Sequence, residues 1–252
     1  MKKNLIVILL FSIKLLGQQN LNIKVTYYET LSFDAVVKKK AELIFNDTNS
    51  YYIKKKSENV IEKKAVTVKK YGKKKEEIIN INLLKDSIFE LTSTLENTFL
   101  VCEKIKKINW EIQKESADSI LRFKTLKAIG SFRGRKYTVW FTEDIPTKFG
   151  PWKLHGLPGL ILKAKDNLNN VLFSAVKIEL IKNTDDVLSL NKTKYRRITL
   201  KNYVEIRNKD INNRIKRILS KIPRGSKVKN LKRKKYKGLE LEYEWQKKIK
   251  GN

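Results

Sequence analysis

Between Leu21 and about Leu180 the chain alternates apolar and polar residues with a period of two. Ile23, Val25 and Tyr27 form one such run, followed by Ala41, Leu43 and Phe45, by Val66 and Val68, and by Ile79 and Ile81. Phe99 and Val101, then Ile108, Trp110 and Ile112, then Tyr137, Val139 and Phe141 continue it, and Phe173 and Ala175 with Val176, Ile178 and Leu180 close it. Successive strand side chains point to opposite faces, so this pattern predicts strands with one face buried. Spaced roughly 8–15 residues apart, they predict a mainly β (β-rich α+β) fold, built on a curved antiparallel sheet or partly closed barrel. Asn46–Ser50 and Asp166–Asn170 carry the turn residues expected between strands, the second closing a hairpin after Leu162.

After Asn183 the period changes. Leu200, Tyr203, Val204, Ile211, Ile215, Ile218 and Leu219 fall near helical spacing, with Arg207, Lys209, Arg214, Lys216 and Arg217 elsewhere on the surface. Thr199 or a neighbour is placed to cap this C-terminal amphipathic helix, and Pro223 and Gly225 to end it. Lys227 to Lys237 is a basic stretch. Beyond it Leu239, Leu241, Tyr243 and Trp245 alternate with Glu240, Glu242 and Glu244, which predicts a final strand.

The first residues have another layout. Met1-Lys2-Lys3, an apolar run from Leu5 to Phe11 and a small residue at Gly17 match a cleavable secretory signal, with Lys14 interrupting any spanning helix. The expected organisation is a signal peptide at 1–17, an antiparallel β domain at 18–181, and a basic helix, tail and final strand at 182–252 on the same domain. Export to the periplasm or outer membrane of a Gram-negative bacterium follows from that reading.

Composition narrows the chemistry. The 252 residues carry a formal net charge of +30, with 23 Lys or Arg against 7 Asp or Glu in residues 182–252. Such a field favours anionic partners. Ten arginines among 56 basic residues, with abundant Asn and Ile, match an AT-rich coding bias, so nucleic acid is not an expected partner. One histidine and one cysteine exclude a conventional multi-His or multi-Cys zinc site and an intramolecular disulfide. Cys102 lies in an apolar strand, and no motif joins it to His155 as a nucleophilic pair. No phosphate loop or dinucleotide glycine pattern is present. Glu143-Asp144 reads as exposed turn residues. No catalytic residue, metal or cofactor is therefore expected.

The segment Gly150-Pro151-Trp152-Lys153-Leu154-His155-Gly156-Leu157-Pro158-Gly159-Leu160-Ile161-Leu162 concentrates glycine, proline and the one histidine. Leu157-Pro158-Gly159-Leu160 fits a type II turn, with positive φ expected at Gly159. His155 reads either as a loop-bonding group or as a ligand contact titrating near neutrality. The segment resembles the signature of the GLPGLI family, secreted proteins of Gram-negative bacteria with no established activity. Arg133 to Pro146, the strand Ile120 to Ala128 and the tail Tyr236 to Leu241 extend the likeness, while Arg122 and Thr125 replace a common glycine and cysteine.

The resulting expectation is an exported, non-catalytic envelope binding or interaction protein, conceivably a hydrophobic-ligand carrier. Its binding residues would be Trp140, Trp152, His155, Gly156, Leu157, Pro158 and Gly159. Its partner would be an envelope protein or a hydrophobic or anionic lipid-like ligand, with peripheral membrane contact. The alternative is a basic adaptor engaging anionic lipid, lipopolysaccharide or an acidic protein, and an enzyme ranks third.

Overall fold

The computed structural model describes residues 22–54, 77–94, 96–182, 194–222 and 237–249. The signal segment, Val66 and Val68, Pro223 with Gly225, and the basic stretch 227–235 lie outside these residues. The strands are β1 (Asn22–Ser32), β2 (Val36–Phe45), β3 (Asn49–Lys54), β4 (Glu77–Asn82), β5 (Ser87–Ser93), β6 (Thr98–Lys104), β7 (Trp110–Ile120), β8 (Phe123–Phe132), β9 (Arg135–Thr142), β10 (Leu160–Asp166), β11 (Val171–Ile181) and β12 (Arg196–Thr199). One helix, α1 (Leu200–Leu219), follows. All strands join one large, curved, open sheet in the order β12-β6-β5-β4-β3-β2-β1-β11-β10-β9-β8-β7. Pairing is antiparallel except that β12 lies parallel to β6. The mainly β architecture with a C-terminal helix is thus as the periodicity predicts.

Inward positions build the core. Val25 pairs with Leu43, Leu43 with Tyr52, Tyr52 with Ile79, Ile79 with Glu90 and Glu90 with Val101, forming one row across the inner face. Tyr137, Val139, Phe141, Ala164 and Phe173 continue this face, all fully buried. The sheet curves around the loop that joins β9 to β10, whose Ile145, Phe149, Trp152, Leu154 and Leu157 belong to the same cluster. A second, smaller cluster packs Leu200, Tyr203 and Val204 of α1 against Phe99, Val101, Ile198 and Tyr243.

The change of phase in β11 has a local cause. Thr26 pairs with Lys177 but Tyr27 with Ala175, so Val176 is an extra residue at a β-bulge. The bulge moves Val176 outward while returning Ala175 to the core. The turns also behave as their residues require. Asn46 Oδ1 accepts the amides of Thr48 (3.1 Å) and Asn49 (2.9 Å), and Asp166 Oδ1 accepts those of Asn170 (2.7 Å) and Val171 (2.8 Å).

Three local expectations need correction. Ile108 precedes β7 rather than belonging to it. Only Leu200, Tyr203 and Val204 of the predicted apolar stripe are buried, because α1 touches the sheet through its first turn and a half. Thr199 does cap it, its side chain accepting the Asn202 amide at 3.2 Å. The predicted final strand is instead an extended segment without sheet pairing that leads into a 3-10 helix, Glu244–Ile249. Its backbone is taken by arginines: the Leu241 amide donates to the Arg133 carbonyl (2.8 Å), and Arg135 Nε donates to the carbonyls of Gly238 and Leu239, each at 3.2 Å.

Candidate functional site

At one end of the inner face the sheet becomes ionic. Register explains this: Glu90 shares its face with Ile88 and Thr92, and Lys54 pairs with Glu77 two residues along from the Tyr52–Ile79 pair. Lys153 enters from the β9–β10 loop, and its ammonium donates to Glu90 Oε2 (2.7 Å), Glu103 Oε1 (2.7 Å) and Glu240 Oε1 (2.9 Å). Glu103 is also paired with Arg133, whose other terminal nitrogen lies 3.3 Å from Glu244. Beside this cluster Lys54 Nζ lies 3.2 Å from Glu77 and 3.6 Å from the fully buried Glu29.

These charges wall a cavity of about 290 Å³ bordered by Lys54, Glu90, Trp152, Lys153, Tyr203 and Glu240. Thr92 Oγ1 and the Tyr203 hydroxyl, 3.3 Å apart, add two hydroxyls on the side of α1. Burial disfavours the Lys153 charge, but Glu240, Glu90 and Glu103 outweigh it and hold the ammonium well above the ordinary lysine range. The two carboxyls at the cavity respond in opposite directions. Burial, with the neighbouring Glu240 charge, pushes Glu90 up against the pull of Lys153. Burial acts on Glu240 too, yet Lys153 and Arg133 overcome it and push this carboxyl below the usual range. The two carboxyls are thus shifted apart, Glu90 upward and Glu240 downward, while both contact one cation. That division is the arrangement by which two acids serve as proton donor and acceptor.

The residues singled out from the sequence are spread over four places. Trp140 lies on the outer face, with Lys163 Nζ 4.8 Å from its ring centroid. Trp152 forms a wall of the ionic cavity and packs edge-on against Phe132 at 5.6 Å. His155 is buried, its Nδ1 2.8 Å from the Lys153 carbonyl oxygen, while its own carbonyl accepts from Trp110 Nε1 at 2.8 Å. Burial lowers its pKa despite the carbonyls of Lys153 and Lys106. Leu157 is core. Pro158 borders a separate cavity of about 480 Å³ beside Phe45, Leu83 and Pro146. Cys102 points outward on β6, on the opposite face from His155, half-buried and bonded weakly to the Leu100 carbonyl.

The glycines exchange roles relative to the turn expectation. Gly156 has φ +96°, whereas Gly159 is outside the positive-φ region. What demands glycine at 159 is space, since an added Cβ would stand 2.0 Å from the Thr142 carbonyl oxygen.

Glu90, Glu103 and Glu240 were not anticipated. The signal for Glu90 is its phase: in Ser87–Ser93 it alternates with Ile88 and Thr92, which places a carboxyl at an inward position. Glu103 carries the same signal, following Phe99 and Val101 in phase, whereas nothing local marks Glu240, whose neighbour Glu242 is equally charged.

Comparison with known proteins bears on these residues. The family model described as "N-glycanase peptide, N-terminal domain" matches residues 26–204. Two solved structures of PNGF-II share the fold: one at 20% identity and TM-score 0.55, covering 77% of this chain and 34% of that one, the other at 21% and 0.56, covering 75% and 33%. This chain therefore spans about a third of the length of the structures it matches. No curated protein matches it. The family match corrects the resemblance to GLPGLI proteins, because the matching model spans most of β1, all of β2 to β12 and the start of α1. It also overturns the expectation of a non-catalytic envelope binder, and with it the lipid-like, lipopolysaccharide and envelope-protein partners, because the matching model is described as a domain of an N-glycanase.

Proposed function

From the premise that this chain belongs to the N-glycanase N-terminal-domain family, we propose that it acts in the enzymatic release of N-linked glycans from glycoproteins, with the ionic cavity receiving the sugar–asparagine junction. The observation that carries this reading is the pair Glu90 and Glu240, pushed in opposite directions while sharing Lys153. Hydrolysis of the side-chain amide needs a base for the attacking water, an acid for the departing nitrogen and a cation for the carbonyl oxygen.

Ionised Glu240 takes a proton from water as the water oxygen bonds to the asparagine carbonyl carbon. The Lys153 ammonium stabilises the resulting oxyanion. Glu90 then gives its proton to the nitrogen as the carbon–nitrogen bond breaks, leaving aspartate and a glycosylamine. A cavity of about 290 Å³ admits a small junction of this kind, with the remaining glycan and peptide outside. Trp152 supplies an apolar wall, as sugar-binding sites use aromatic area.

The test is hydrolysis of a fluorescent N-glycopeptide by the purified chain in ¹⁸O-water, read by mass spectrometry. The expected result is an aspartyl peptide carrying one ¹⁸O, with Glu90→Gln and Glu240→Gln each slowing release at least about 100-fold, the range general acid–base groups supply. No release, or release unchanged in both variants, would sink the assignment.

A further inference from the structure

The outer face carries a feature independent of the cavity. Pairing across six adjacent strands, β8, β9, β10, β11, β1 and β2, places Lys127 opposite Trp140, Trp140 opposite Lys163, Lys163 opposite Ser174, Ser174 opposite Tyr28 and Tyr28 opposite Lys40. A second row runs beside it through Thr138, Lys165, Leu172, Thr30 and Lys38. The same outward phase adds Lys136, Lys24 and Lys177. Against these eight lysines the described outward positions of the six strands hold two acids, Glu42 and Glu179, and Glu179 is already paired with Lys24 (3.2 Å) and Lys177 (2.8 Å). The inner-face acids Glu29, Glu77, Glu90 and Glu103 are instead each paired with Lys54, Lys153 or Arg133. The outer lysines thus differ from the inner charges in outnumbering the acids beside them.

The two aromatic residues in the first row hold cations rather than offering stacking faces. Lys163 Nζ stands 4.8 Å from the Trp140 ring centroid and Lys38 Nζ 4.2 Å from that of Tyr28. Such contacts fix an ammonium over a ring. Strands are about 4.8 Å apart, so the row from Lys127 to Lys40 stretches about 24 Å across the sheet. Lys127, Lys163 and Lys40 stand two and three strands apart, about 10 and 14 Å, separations that a flexible polymer with repeated anionic groups can bridge. The face is convex, because the sheet curves around its core. A planar bilayer would meet it only at its crest, and bases of a single-stranded nucleic acid would find their stacking platforms already covered. A sugar chain bearing carboxylates or sulfates can follow the curve and needs no stacking face.

We propose that the outer face of β8, β9, β10, β11, β1 and β2 is a binding surface for anionic polysaccharide, with Lys127, Lys163 and Lys40 as its central row. The site would hold such a chain on the face opposite the inner cavity. It does not depend on the hydrolytic reading, and its test uses no glycopeptide.

The experiment measures binding of the full chain to sulfated heparin oligosaccharides and to carboxylated polygalacturonate, which separates the two anion types, with neutral dextran and single-stranded DNA of matched charge in parallel. The variant Lys127→Gln/Lys163→Gln/Lys40→Gln should lose at least about tenfold in affinity for one or both acidic sugars and show a shallower salt dependence. Lys201→Gln/Lys209→Gln/Lys216→Gln on exposed positions of α1 removes the same charge elsewhere and should change affinity less than about threefold. Thermal melts of both triple variants should show a single cooperative transition, since Lys40, Lys201, Lys209 and Lys216 are exposed and Lys127 and Lys163 half-buried. Equal losses in the two variants would show a general field rather than a site. Equal binding to dextran, or tighter binding to DNA than to either acidic sugar, would also overturn the proposal.

Discussion

Gly159→Ala isolates the contact that fixes the β9–β10 loop. The added methyl would stand 2.0 Å from the Thr142 carbonyl oxygen and 2.6 Å from its carbonyl carbon. Thr142 cannot yield easily, because it closes β9 and pairs with Leu160, the first residue of β10. Both neighbours are fully buried or nearly so, with Leu160 at 0% and Thr142 at 1% exposure. Relief requires moving backbone in a packed core, so the cost belongs at or above the roughly 1–3 kcal/mol of ordinary overpacking, about 3 kcal/mol or more. Gly156→Ala is the control. Its φ of +96° makes an L-residue strained, for about 1–2 kcal/mol, but the nearest atom to its Cβ is Trp110 Nε1 at 3.9 Å. Urea denaturation reads both, as a lower midpoint at unchanged slope. Gly159→Ala should be the more damaging. If Gly156→Ala costs more, or Gly159→Ala costs under about 1 kcal/mol, the close approach to Thr142 does not govern this loop.

Lys153→Met should cost about 3–5 kcal/mol at pH 7, because it leaves Glu240 and Glu103 buried without the ammonium that holds them at 2.9 and 2.7 Å. Denaturant melts read the loss, and a cost under about 1 kcal/mol would show that the ammonium contributes little to holding these carboxyls. His155 has a folded pKa below its ordinary 6.5, so the unfolded chain binds the proton more readily and stability should fall as pH drops from about 6.5 toward the depressed value, by up to about 1.4 kcal/mol per pH unit. His155→Gln should flatten that slope, and an unchanged slope would show that other groups set it. Leu121 and Arg122 turn β7 into β8 with φ +50° and +70°, so Arg122→Gly should stabilise by about 0.5–1 kcal/mol in thermal melts. A destabilisation would mean that the Arg122 side chain contributes more than its backbone strain costs.

The alternation of Val25 and Tyr27, Leu43 and Phe45, Ile79 and Ile81, and Val139 and Phe141 was enough to predict the sheet, since side-chain direction in a strand is a local property with period two. Turn chemistry at Asn46 and Asp166 and the Thr199 cap were legible for the same reason: each partner lies within five residues. The final strand misread shows where such reasoning ends. Leu239, Leu241, Tyr243 and Trp245 alternate correctly, but Arg133 and Arg135 claim the backbone that a neighbouring strand would need.

By itself the sequence determined the inward and outward phase of strands such as β1, β2, β4 and β9, the position of the turns at Asn46 and Asp166 and the start of the helix, because these depend on neighbours a few residues apart. Only the tertiary structure decided that Lys153 meets Glu90, Glu103 and Glu240, which lie between 50 and 87 residues away where the hydrogen bonds to Glu103 and Glu240 span the chain. It likewise decided that Gly159 is needed for the approach of Thr142 and that lysines of six strands share one face. Such meetings are set by sheet order and curvature, and no local spacing encodes which carboxyl a buried ammonium will find.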